Sequence, residues 1–330
     1  MGPTVLVVTA LEDITADDVI EALNERGASV VRVDPADIGQ GLVFEARLDA
    51  SNGRWHGHLR TPTRSVALED ITAVYHRRPT PYTDRFGHLP TQQRAFAATE
   101  ARHGLGSVLA NLPAARYVNH PLAVTTADFK PAQLRAAARI GFTVPPTLIT
   151  NDVQAARRFA SEQGPVIYKT FRGLPLSEDG TAGAIWTQQV DPRSFDSSLV
   201  VTAHLFQAQV PKTSDVRVTV VGRKAFSTRI TAPHGDLDWR RGDWEDLTHI
   251  PVPLPPSIEA ALFDYLTAFD LAFGCFDFAL TGAADNPKHW IWIECNPNGQ
   301  WGWLPDAPDI AAAFADVLME EETSGEPSPR

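Results

Sequence analysis

The stretch WIWIECNPNGQWGW, residues 290 to 303, constrains the chain more than any other. Trp290, Ile291, Trp292 and Ile293 are as apolar as a central strand. A strand points residues i and i+2 to one face, so Glu294 and Asn296 point together and Cys295 points away. A carboxylate and an amide oxygen at the end of such a strand have the character of ligands for a hard cation. The same residues also suit a plain strand end with an Asx-type turn at Asn296-Pro297. The rest of the chain has to decide between these readings.

The upstream pattern is that of an α/β protein. TVLVVTA reads as a buried strand, TADDVIEALNERG as a helix with Thr15 as N-cap and Gly27 as its stop, and ASVVRVD as a second strand. This β-α-β start implies a small open α/β domain. LVFEARLDASNGRWHGHLR alternates around a Ser-Asn-Gly turn and reads as a hairpin. ITAVYHRRP is a strand ending in paired arginines, and PTQQRAFAATEARHGLGSVLANLP is a long helix. The first domain ends near residue 118. A central unit over 119–204 holds a helix around 128 to 140, a helix in DVQAARRFASEQG, the strand PVIYKTF, a glycine-containing mobile loop and the strand AIWTQQV. In the last unit, 205–320, SDVRVTVVGRKAFSTRI is a hairpin around Val221-Gly222-Arg223-Lys224, and AFGCFDFALTG should pair antiparallel with HWIWIEC. Residues 321–330 read as a disordered tail.

Composition removes several classes of function. A formal net charge of -11 argues against a non-specific nucleic-acid binder, though a small anion can still find local positive charge. Two cysteines, Cys275 and Cys295, make neither a disulfide framework nor a CxxC zinc site; the default is buried thiols in a reducing compartment. The N-terminus reads as a strand rather than a signal peptide, and no apolar run approaches the roughly 18 residues of a membrane span. The expectation is a cytoplasmic protein with no membrane partner.

Five features carry candidate chemistry. Lys130 follows TTADF at a helix start; alone, it reads as a surface lysine. Lys169 sits inside an apolar strand, where an inward charge needs a partner such as a phosphate, or else snorkels from the strand end. The loop 171–184 carries Gly173, Gly180 and Gly183, which would let backbone amides approach phosphates, or would simply make a flexible hairpin loop. Asp215 and Arg217 share a strand face, either as an intrastrand ion pair or with Arg217 reaching a transferring phosphoryl group. Asp277 lies between Phe276 and Phe278, a costly place for a lone carboxylate without a cation or donor. Together, Asp277, Glu294 and Asn296 supply three oxygen ligands from two adjacent strands, with two lysines, a glycine loop and an arginine upstream. That is a nucleotide-triphosphate and metal site built without a Walker motif.

This order of elements resembles the ATP-grasp superfamily. YHRRP, SDVRVTVVG, DLDWR and IECNPNGQWGWL look closest to its ribosomal-peptide maturases, the graspetide synthetases, which include the microviridin ligases. The resemblance covers about residues 4 to 318. It implies an α/β (α+β) ATP-grasp fold with a pre-ATP-grasp domain over 1–118, a lid domain over 119–204 and a C-terminal ATP-grasp domain over 205–320. It implies ATP and two Mg2+ ions. Lys130 and Lys169 would contact phosphates, with Lys169 also in reach of the adenine. Gln207, Gln209 and Val210 lie where the family's hinge reads adenine, and Lys212 borders the ribose or adenine edge. Arg217 would hold the γ-phosphate or acyl phosphate, with Asp277, Glu294 and Asn296 on the metals. Arg78, Asp215 and Arg240 are substrate-side candidates. FQAQVPK lacks the acidic residue that some relatives carry beside the Gln, which puts the ribose contact in doubt.

The implied activity is that of a ligase. It phosphorylates Asp or Glu side chains of a precursor peptide with leader and core. Ser, Thr or Lys of that peptide then attacks, giving an ester or amide macrocycle with ADP and phosphate released. A ligase for a small amino acid or glutathione-like metabolite would share every nucleotide residue, while a non-catalytic binding protein should have lost one of the charged positions. Homodimers are common in the family, and the pattern of exposed faces here does not decide the oligomeric state.

Overall fold

A computed structural model of the chain describes residues 2–39, 41–171, 185–232, 237–241 and 244–320. The expected glycine loop (172–184) and the C-terminal tail (321–330) lie outside the described residues.

The first sheet has the order β2-β1-β6-β7, all parallel, from β1 (Thr4–Val8), β2 (Ser29–Val33), a small antiparallel sheet of β3 (Val43–Asp49), β4 (Arg54–Arg60) and β5 (Ser65–Ala67), then β6 (Ile71–His76) and β7 (Arg116–Val118). Helix α1 (Ile14–Glu25) joins β1 to β2. The short α2 (Tyr82–Arg85) and the long α3 (Thr91–Leu109) lead to β7. Thr15 is not the N-cap of α1. It lies inside the helix and Asp13 holds the cap position, but the Asp13 carboxylate caps nothing because Thr9 and Arg77 donate to it instead.

Helices α4 (Pro121–Ala127) and α5 (Lys130–Ile140) follow, the latter closed by Gly141 in the left-handed conformation (φ 108°). The central sheet has the order β10-β9-β11-β8, from β8 (Thr147–Thr150), β9 (Val166–Lys169), β10 (Gln188–Val190) and β11 (His204–Ala208). Helix α6 (Val153–Gln163), capped by the Asp152 carboxylate, packs against it. The boundary expected between 204 and 205 therefore leaves β11 on the wrong side, since β11 is hydrogen-bonded to both β8 and β9.

The C-terminal sheet runs β14-β13-β12-β15-β16, antiparallel throughout, from β12 (Ser214–Val221), β13 (Lys224–Thr231), β14 (Thr248–Pro251), helix α7 (Pro256–Ala268), β15 (Phe273–Leu280) and β16 (Trp290–Asn296). Gly222 (φ 57°) makes the expected β12–β13 turn. One face of this sheet presents Val216, Val218, Val220, Phe276, Phe278, Trp290 and Trp292 to a core shared with α4, α5 and α7. Residues 121–140 thus pack with the C-terminal sheet rather than with the central one. Helix α8 (Ala307–Met319) packs on the N-terminal sheet and α1, so a second core joins the two ends of the chain through Trp301, Phe273 and Phe314. Among the described residues, no helix is long and apolar enough to cross a membrane.

Candidate active site

The face of the C-terminal sheet opposite the α4–α5–α7 core carries the charged residues. Strand alternation explains most of this: Asp215 and Arg217 alternate with buried valines, and Asp277 lies between the two core phenylalanines. Glu294 needs one more device. Trp290 and Trp292 face the core, so an unbroken strand would turn residue 294 inward as well. Asp277 pairs with Glu294 but Phe278 pairs with Trp292, which leaves Ile293 as an extra residue. This bulge turns Glu294 to the polar face, opposite Asp277, and sends Cys295 into the core.

Gln133 of α5 fixes that strand end. Its amide donates to the carbonyls of Ala127 and Cys295 (2.6 and 2.8 Å) and accepts from the Cys295 N–H. The buried Asn119 does the same on the other side, donating to the carbonyls of Phe273 and Pro297 and accepting from the amides of Ala272 and Phe273. Neither residue stood out in the sequence, where each reads as a lone polar residue in a helix or loop.

Four ion pairs ring the face. Arg217, 7% exposed, donates Nε and Nη2 to the two carboxylate oxygens of Asp277 (both 2.9 Å) and Nη1 to the carbonyl of Gln300 (3.1 Å). Its guanidinium lies 5.4 and 5.5 Å from the ring centres of Trp239 and Trp303. Lys130, the first residue of α5, reaches Glu294 (2.5 Å). Lys212 donates to Asp215 (2.6 Å) and to the Leu237 carbonyl (2.9 Å). Arg240 grips Asp238 through Nε and Nη2 (2.8 and 2.9 Å) and lies over the Trp186 ring. A cleft is lined by Lys169, Gln207, Val210, Lys212, Asp215, Arg240, Asp277 and Glu294. Gln209 and Asn296 are not among the lining residues; Asn296, two residues beyond Glu294 at the end of β16, accepts from the Asn298 N–H in the Asx-type turn considered from the sequence. Arg78 is placed elsewhere. It is exposed, donates to the Asn298 carbonyl, and borders a separate cleft beside the start of α1.

The electrostatics follow from this crowding. Burial pushes the Glu294 carboxyl up, but Lys130 and Lys169 more than offset it and hold the group well below the usual carboxylate range. Burial lowers Lys169 despite the pull of Glu294. Asp215 goes the other way: burial outweighs Lys212 and raises it to about 6. For Arg217, burial opposes the charge, and Asp277 more than restores it.

The chemistry of these groups fits a nucleotide and a hard cation. Among the described residues, no three His, Cys, Asp or Glu side chains are placed to hold a metal on their own. Asp277 and Glu294 with the Asn296 amide nevertheless form an all-oxygen donor set, and such a set leaves room for phosphate oxygens. A carboxylate has about four acceptor sites, of which Arg217 takes two on Asp277 and Lys130 one on Glu294, so lone pairs remain on both. Oε1 of Gln207, which lines the cleft, and Oε1 of Gln209 are buried without a hydrogen-bond partner among the described residues.

The central and C-terminal sheets with a lysine-lined cleft between them, preceded by the N-terminal α/β unit, have the ATP-grasp fold. Residues 4–125 match the family model described as the MvdD pre-ATP grasp domain. Within that fold the chain resembles ligases that act on ribosomally made peptides. It is 26% identical to a Chryseobacterium gregarium RiPP-associated ATP-grasp ligase solved with ADP and a leader and core peptide, over 96% of each chain, with a TM-score of 0.87. It is 28% identical to the macrocyclase MdnB from Microcystis aeruginosa MRC, over 96% of this chain and 99% of that one, with a TM-score of 0.77. The macrocyclase MdnC of the same organism, solved with its precursor peptide MdnA, shares the fold at 23% identity and a TM-score of 0.83. Among the curated proteins, none matches.

Proposed function

We propose that this chain is an ATP-dependent peptide ligase that activates Asp or Glu side chains of a ribosomally made precursor. The observation that carries the reading is the face on which Arg217, Asp277, Glu294 and Lys130 meet beside the cleft lined by Lys169 and Gln207. The likeness to a ligase solved with ADP and a leader and core peptide supports it.

A peptide carboxylate is a poor electrophile until it becomes an acyl phosphate. Lys130 and Lys169 hold the triphosphate, and the Gln207–Val210 segment holds the base. Arg217 draws the γ-phosphoryl group toward the incoming carboxylate and stabilises the charge that develops. Asp277, Glu294 and Asn296 would hold two Mg2+ ions, which supply charge neutralisation along the phosphates. A Ser or Thr hydroxyl, or a Lys amine, of the same peptide then displaces phosphate to give a side-chain ester or amide. The enzyme needs no nucleophile of its own.

The test uses short peptides rich in Thr, Ser, Asp and Glu encoded beside the gene. Each is incubated with the protein, ATP and Mg2+, and its intact mass is recorded. ATP-dependent loss of one or more waters is expected, and the number lost gives the ring count. ADP release driven by free amino acids, with every peptide unchanged, would replace this reading with a small-molecule ligase.

A further inference from the structure

Arg77 is 2% exposed, one of the largest fully buried side chains in the protein, and it lies outside the cleft. Alternation along β6 puts it on the face of Ala73 and Tyr75, which point into the core that joins the two ends of the chain. Its Nε donates to Asp13 (2.7 Å), its Nη1 to the Gly299 carbonyl (3.4 Å) and its Nη2 to the side-chain oxygen of Gln300. Thr15, the second residue of α1, donates to the same Gln300 oxygen (3.2 Å). The backbone carbonyl of Gln300 is in turn the acceptor for Nη1 of Arg217. One residue thus has its side chain anchored in the N-terminal domain and its main chain against the arginine of the active face.

Resting on the ligase reading above, we infer that Arg77 is a positioning residue: through Gln300 it sets the orientation of the Arg217 guanidinium. A guanidinium has five N–H donors. Asp277 takes two and Gln300 one, so among the described residues two remain, one on each terminal nitrogen, to meet an oxyanion. The Asp277 fork fixes the plane of Arg217, and the Trp239 and Trp303 rings pack beside it. The Gln300 carbonyl fixes which N–H groups stay available. A Gln300 loop free to drift would compete for those donors or leave them misdirected, and displacements of about 1 Å cost roughly 100-fold in such chemistry. Arg77 never touches substrate in this scheme, so its effect falls on the transition state and not on ATP binding.

The experiment compares Arg77→Lys, Gln300→Ala and the double variant with wild type. It reads kcat and the KM for ATP from ADP release on the peptide that wild type modifies. It also reads the Arg217 guanidinium NMR signal, assigned by its loss in Arg217→Lys. Each single variant is expected to lower kcat about 10- to 100-fold. The KM for ATP should stay within about threefold. The Arg217 signal should shift in both, and the double variant should be no slower than the worse single, because both act along one path. A purely structural Arg77 would lower the melting temperature with an unmoved Arg217 signal, and multiplying losses would mean separate paths; either result overturns the inference. Should Arg77→Lys fail to fold, Gln300→Ala decides alone, since it leaves the Arg77–Asp13 pair intact. If wild type modifies no peptide, the ligase reading falls, and the NMR shifts still decide whether Arg77 positions Arg217.

Discussion

Arg217→Lys separates binding from catalysis most sharply. Lysine keeps the charge but not the fork. From that position an ammonium keeps one of the two 2.9 Å bonds to Asp277 and loses the bond to the Gln300 carbonyl. One charge-assisted bond is worth about 1.5–3 kcal/mol and the carbonyl bond about 1 kcal/mol, so the variant should be less stable by roughly 2.5–4 kcal/mol. That is tolerable against a usual reserve of about 5–15 kcal/mol. The catalytic loss is larger. Removing a donor aimed at developing charge costs about 100- to 1,000-fold in kcat. In the proposed mechanism Lys130, Lys169 and the Gln207–Val210 segment hold ATP, so its affinity should change less than about threefold. ADP release at saturating peptide and ATP gives the first number, calorimetric titration of ATP the second, and urea unfolding the third. Equal losses in rate and in ATP affinity would demote Arg217 to a binding residue. A rate within about threefold of wild type would remove it from the mechanism.

Two further outcomes test separate parts of the structure. Glu294→Ala should abolish ATP turnover, because it removes the carboxylate opposite Asp277 and leaves Lys130 without its ion-pair partner; surviving ADP release would show that the metal assignment is wrong. His76 has its pKa pushed down to about 4, by burial first and by the nearby His120 second. Its folded value lies below the unfolded value of about 6.5, so the unfolded chain takes up the proton first and stability is lost as pH falls from about 6.5 to about 4. The loss should be roughly 2 kcal/mol after allowing for partial exposure, and His76→Gln should flatten the unfolding curve across that window.

The sequence made the site legible because charged residues in apolar strands are conspicuous. Lys169, Arg217, Asp277 and Glu294 all stand out against valine, phenylalanine and tryptophan, and period-two alternation placed Asp215 with Arg217. What alternation could not supply was the bulge at Ile293, which decides whether Glu294 faces the cleft or the core. A bulge is an agreement between two strands, and the local sequence of one strand does not contain it. Arg77 was missed for a related reason. YHRRP presents two arginines, and only the alternation of Ala73 and Tyr75, continued by one step, marks Arg77 rather than Arg78 as the buried one. Packing also departs from chain order: β11 lies inside the central sheet, while α4 and α5 cover the C-terminal one.

The ion pairs of the active face also bear on what can enter it. Lys130 with Glu294, Arg217 with Asp277 and Lys212 with Asp215 leave the cleft nearly neutral. A bare polyanion drawn to the two lysines and the arginine would take them from their carboxylates. Glu294 is held far below its usual range by Lys130 and Lys169 against the opposing effect of burial, so losing them to an anion would leave a buried carboxylate uncompensated. Two adjacent ionised carboxylates would then face the phosphates across a few ångströms in a partly desolvated site, a repulsion that grows as the dielectric falls. An anion that arrives with divalent cations exchanges partners without leaving either carboxylate uncompensated. On the proposed function, the pairing of Asp277 opposite Glu294, set by one bulged residue, should favour an anion that arrives with divalent cations over a bare one.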